Sequence, residues 1–187
     1  MIRHKVVIIM VSVIAVVLTL LSQESLAYYS TTGRAVNVVT SGGVTLAIHE
    51  KTDAGNDFPS EGVTVIPGDI VSKRVTVENV CNHPFYLRVK LVYGASQQTL
   101  SPEDCMKLDI DTANWELHDG WYYYKGVVAP GETTPEIFTK VEIVGDRVDN
   151  RYLGKTLTLS VIAHAVQSEN NPVNGTDTYL AAGWPAE

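Results

Sequence analysis

His49-Glu50 is the chain's one His-Glu pair, and metal-dependent hydrolysis would have to be built on it. A zinc protease of the common kind needs His-Glu-x-x-His on a helix, so that two ligands share a face and the glutamate serves as base. Lys51-Thr52-Asp53 follow instead, the second histidine is missing, and the pair ends an alternating, strand-like stretch. His83, His118 and His164 stand apart from one another. Nucleophilic catalysis has no better footing: no Gly-x-Ser-x-Gly occurs, and neither cysteine sits in a family signature or a Cys-x-x-Cys spacing. We therefore assign no catalytic residue, no metal ligand and no cofactor from the sequence.

Three other groupings carry weaker chemistry. Cys81 and Cys105 are the only cysteines. In an oxidising compartment an even pair points to a disulfide closing a loop of about 25 residues, with a stabilisation of about 3 kcal/mol; the alternative is two free thiols. Asp109 and Asp111 fall on one face of a strand-like stretch. They suit either a calcium ion shared with backbone oxygens or a solvated edge that discourages sheet-to-sheet association. Trp121-Tyr122-Tyr123-Tyr124 alternates, so Trp121 and Tyr123 face one way and Tyr122 and Tyr124 the other. One pair belongs to a core; Tyr122 and Tyr124 are the candidates for a surface contact, with a sugar ring or a partner subunit, but a sandwich with aromatics on both sheet faces also explains the run and is the preferred reading.

The elements that must hold these residues read as β almost throughout. Val44–Glu50, Val71–Val77, Phe85–Tyr93 and Thr156–Val166 alternate apolar and polar, the mark of strands with one buried face. Shorter strands are expected at Glu61–Ile66, Asn114–Leu117, Trp121–Val128 and Glu136–Val144. Pro67-Gly68-Asp69, Asp119-Gly120 and Pro130-Gly131-Glu132 are turn signals. Ser101-Pro102 predicts one capped helical turn, and Asp146–Leu153 a second. The fold class expected is all-β: a jelly-roll-like β-sandwich of about eight strands with one or two short helical turns.

An N-terminal signal helix precedes this domain. Arg3, His4 and Lys5 form a basic start, Val6 to Leu21 is apolar except for Ser12 and Thr19, and Ser25-Leu26-Ala27 offers small residues for cleavage between Ala27 and Tyr28. An uncleaved anchor is the alternative, although the apolar run is short for a span of about 20 residues. Residues 1–27 are thus signal and 28–187 one β-sandwich domain, with 28–40 a segment free to exchange and 168–187 a polar loop and tail whose Trp184 docks on the sheet. The protein is expected outside the cytoplasm, touching membrane only before cleavage. Its formal charge of −7 gives no electrostatic reason to bind nucleic acid.

Several stretches together resemble the camelysin/TasA-like group of exported bacterial proteins. They are Ser25-Leu26-Ala27-Tyr28-Tyr29, Gly43–Glu50, Val65–Lys73 leading into Val75–Asn79, Pro84–Val89, Asp119–Lys125, Val128–Thr134, Ile137-Phe138 and Leu159–Gln167. The resemblance implies processing by a SipW-type signal peptidase and a surface or biofilm-matrix location. It also implies, in some members, fibres assembled by donating an N-terminal strand to the next subunit, itself or a related chain. Val36, Val38 and Val39 are the expected docking residues of that strand. The cysteine pair and the short chain depart from the fibre-forming pattern. The alternatives are a camelysin-like surface metallopeptidase and a glycan-binding surface module.

Overall fold

The computed structural model describes residues 29–32, 35–36, 44–96, 101–145, 147 and 155–185. The signal segment with Ala27 and Tyr28, the docking residues Val38 and Val39, and most of the helical turn expected at 146–153 lie outside them.

Among the described residues, twelve strand segments, a single-turn α-helix and a 3-10 turn at Thr178–Leu180 form an all-β sandwich. In chain order the strands and the α-helix are β1 (Tyr29–Thr32), β2 (Ala35–Val36), β3 (Leu46–Lys51), β4 (Thr64–Val65), β5 (Ile70–Ser72), β6 (Arg74–Asn79), β7 (Phe85–Ala95), α1 (Pro102–Cys105), β8 (Met106–Leu108), β9 (Trp115–His118), β10 (Trp121–Tyr124), β11 (Lys140–Ile143) and β12 (Thr156–Gln167). One layer runs β4-β1-β12-β7-β10-β9, with β2 also on β12. Its spine is the antiparallel β7–β12 ladder, from Leu157 opposite Ala95 to Gln167 opposite Phe85.

The other layer joins two pieces. β3 pairs with β6, and β11 lies between β5 and β8. Main-chain bonds from Lys73 to Thr139, Val75 to Phe138, Ile137 to Val75, Thr134 to Val77 and Asn79 to Glu132 stitch them together. Between the layers lie Leu46, Ile48, Val75, Val77, Leu87, Val89, Trp115, Phe138, Ile143, Leu157, Leu159 and Val161, all buried. Period-two alternation carried this arrangement, because only one face of each strand meets the opposite layer.

The turn signals act as the sequence indicates. Asp119 and Gly120 both take positive φ, 47° and 78°, and close the β9–β10 hairpin. Both Pro-Gly turns are clasped by the acid that follows: Ile66 N–H donates to Asp69 Oδ2, and Ala129 N–H to Glu132 Oε2. Pro102 occupies the first turn of α1, but the Ser101 side chain makes no capping bond. Helix α1 is a single turn that passes directly into β8, so little helix is there to cap.

Candidate functional site

The N-terminal segment lies within the main sheet. Ser30, Thr31 and Thr32 pair in parallel with Thr156, Leu157 and Thr158, and Ala35 and Val36 with Val161 and Ile162. These are the only parallel pairings among the described residues. On its far side β1 meets only the two residues of β4, Val65 opposite Tyr29 and Thr64 opposite Ser30. Of the expected docking residues, Val36 has its backbone on β12. The alignment is the same for β1 and β2, and Leu159 sits on β12 between the two paired stretches.

Lys73 reaches that position from the opposite layer. It is only 2% exposed. Its ammonium lies 3.0 Å from Glu50 Oε1, donates to the Leu159 carbonyl at 3.4 Å, and stands 4.9 Å above the Phe58 ring. Burial lowers the Lys73 pKa, and the Glu50 charge partly offsets this. Strand alternation on β3 sends Glu50 to the inner side with Leu46 and Ile48, and His49 to the outer side. There His49 Nε2 meets Glu78 Oε2 at 2.7 Å. The only His-Glu pair is therefore split across the sheet and faces no common centre. Sequence reasoning missed Lys73, although it falls in the apolar row of Val71, Val75 and Val77; a lone cation in such a row is the signal that would have found it.

The remaining histidines lie at separate places. His83 Nδ1 meets Glu169 at 3.1 Å, His118 stacks on Tyr179 with ring centres 3.7 Å apart, and His164 Nδ1 lies 3.2 Å from Arg88 Nη2. Among the described residues, no group of three His, Cys, Asp or Glu side chains could hold a metal ion.

Asp109 and Asp111 both accept hydrogen bonds from nearby groups of the chain. Asp109 accepts from Thr139 N–H, Thr139 Oγ1 and Lys140 N–H. Burial raises its pKa, but these bonds outweigh burial and hold the carboxyl below its ordinary value. Asp111 accepts from Asn114 Nδ2 at 2.6 Å and from Ala113 N–H, and is held low mainly by Asn114. Both carboxylates shape the turns around β8 and β9.

Cys81 and Cys105 are not joined to each other, the alternative that the sequence left open. Cys81 Sγ donates to Asn79 Oδ1 at 3.0 Å in the loop after β6. Cys105 Sγ is directed at the Ser101 carbonyl at the base of α1. The two elements put the sulfurs in different surroundings, each already hydrogen-bonded.

Aromatic side chains pack on both faces of β10, the arrangement preferred from the sequence over an open platform of Tyr122 and Tyr124. Tyr122 and Tyr124 pack, half-buried, against the main core, and burial raises both hydroxyl pKa values. They are not an exposed platform. Trp121 and Tyr123 face outward but are covered, Trp121 by Arg88 and His164 and Tyr123 by Tyr179 and Trp184 of the C-terminal segment. Thr178 Oγ1 donates to the Tyr124 carbonyl, and Asn171 exchanges two bonds with Ala182. Trp184 meets Tyr123 edge to face at 5.4 Å. Arg88, 6% exposed, lies 4.0 Å from the Trp121 ring centre and 5.1 Å from that of Trp184, and donates to the Pro185 carbonyl at 2.6 Å. The tail docks through Trp184 as the sequence indicated.

The fold and the site define a class of protein: an all-β sandwich whose N-terminal strand is laid in parallel beside its last one. No family model, no curated protein and no solved structure matches the chain.

Proposed function

We propose that this chain is an exported structural subunit of the cell surface or extracellular matrix, assembling through its N-terminal strand. The observation that carries this reading is the parallel seating of Tyr29–Thr32 and Ala35–Val36 on β12. Hairpins make antiparallel neighbours; a parallel neighbour needs a long crossover or a free end. Here the paired strand follows directly on the sequence read as a cleavable signal. Cleavage after Ala27 gives it a free end, and main-chain bonds of the strand-addition kind are indifferent to which copy supplies it. The stretches resembling the camelysin/TasA-like group support the same reading, as does a signal suited to a SipW-type peptidase.

Electron microscopy of the mature chain tests it. Residues 28–187 should polymerise, and removal of Tyr28–Val39 should abolish polymers while leaving a folded sandwich. Equal polymerisation by the shortened chain would overturn the proposal. Zinc retention with chelator-sensitive casein cleavage would instead establish a metallopeptidase.

A further inference from the structure

Among the described residues, Lys73 and Glu50 are the oppositely charged pair most fully withdrawn from water. Their side chains are 3% and 9% exposed, and Nζ stands 3.0 Å from Oε1. Glu50 lies opposite Val75 on the β3–β6 ladder, so Lys73, just before β6, reaches it on the diagonal. The chain between them folds back over the contact. Phe58 N–H donates to the Glu50 carbonyl at 2.8 Å, and the Phe58 ring centre lies 4.9 Å from Nζ.

Other acids of the fold are supplied with donors. Asp69, Asp109, Asp111 and Glu132 each accept main-chain N–H bonds. Among the described residues, no main-chain N–H or hydroxyl donates to the Glu50 carboxyl, and Oε1 is buried without a well-directed hydrogen bond. A buried ion pair needs such bonds to offset the loss of water. Without them, passing a proton from the ammonium to the carboxylate removes both charges from the core. Burial, which lowers the Lys73 pKa, acts in the same direction. The product is a free amine against a carboxylic acid. These are the two forms that condense, and contact inside the fold replaces the encounter that would bring them together in solution.

We propose that Lys73 and Glu50 join through an amide bond, a modification site that locks β3 to β6. Nζ bonds to Glu50 Cδ. One carboxyl oxygen leaves as water with two of the three ammonium protons, and the third stays on the amide nitrogen. That N–H keeps the Leu159 carbonyl within reach as its acceptor. The step consumes no oxidant and no second reactant. Cys81 and Cys105 are not joined, and the amide supplies a link that reduction does not open. Its formation needs only the folded sandwich and does not rest on the assembly proposed above.

The intact mass of the folded mature chain tests the proposal. It should fall below the sequence mass by one water. Trypsin should release residues 35–51 joined to residues 52–74, because a lysine held in an amide is not cleaved. Fragmentation should place the link between Glu50 and Lys73. The Lys73→Met, Glu50→Leu double variant, which leaves no lone buried charge, should show its full sequence mass. A parent chain of full mass, releasing residues 35–51 and 52–73 separately, overturns the inference whether or not the variant folds. A deficit that persists in the variant places the lost water elsewhere and overturns it equally.

Discussion

At the residue scale, the most committed polar side chain is Asn79, fully buried at the end of β6. Its Nδ2 donates to the His83 and Val128 carbonyls, and its Oδ1 accepts from Cys81 N–H. Asn79→Ala strands these groups without water and should cost about 3 kcal/mol in chemical denaturation. Asp109 gives the pH prediction. Its folded pKa is lowered, so its contribution is present above the unfolded carboxylate range near about 4 and lost as pH falls through the folded value. Asp109→Asn should cost about 1 kcal/mol at pH 7, the side chain being exposed, and the gap from the parent should close toward pH 2. A gap independent of pH would point to altered packing. Such roles were only partly legible. A strand-like stretch places Asp109 and Asp111 on one face, but the chain leaves β8 after Leu108, and the acids turn to backbone donors that no local pattern announces. Lys73 was visible as an exception in an apolar row; its partner Glu50 lies on another strand.

At the scale of elements, alternation located most of the strands because each keeps one face against the opposite layer. It did not say which face of β10 was the inner one. Trp121 and Tyr123 are as apolar as the pair behind them, and both faces are covered, one by the sandwich and one by the C-terminal segment. That second cover is a distinct element with its own small core of Tyr86, Val166 and Ala181, against which Val173 and Trp184 pack. Trp184→Ala should uncover the outer face around Arg88 and Tyr123. We expect a loss of about 2–3 kcal/mol and increased binding of a hydrophobic dye, with the β-sheet circular dichroism unchanged. Tyr122→Phe should stay within about 0.5 kcal/mol of the parent, because among the described residues its hydroxyl has no hydrogen-bond partner. The β9–β10 hairpin depends on Gly120 at φ 78°, where a branched side chain is strained. Gly120→Val should lower the melting temperature, whereas Asp119→Asn should be nearly silent because asparagine tolerates positive φ.

At the scale of the whole molecule, the N-terminal strand can be separated from the rest. The β7–β12 ladder, the β9–β10 hairpin and the stitched opposite layer hold together without β1 or β2. What the strand adds is cover for one side of β12. A chain beginning at Thr40 should therefore fold, melt below the longer form, and recover stability when a peptide of Tyr28–Val39 is added. The recovery should follow mass action, about 2.7 kcal/mol at a peptide concentration one hundred times its Kd. A peptide with the same composition in scrambled order should give no shift, since it lacks the alternation that fits β12. Absence of any concentration-dependent rise would mean the slot closes over once emptied, and an exchange mechanism would then have no acceptor. A rise with the native peptide alone would establish an acceptor that recognises sequence, the property that the proposed assembly needs in order to select one strand from other extended chains.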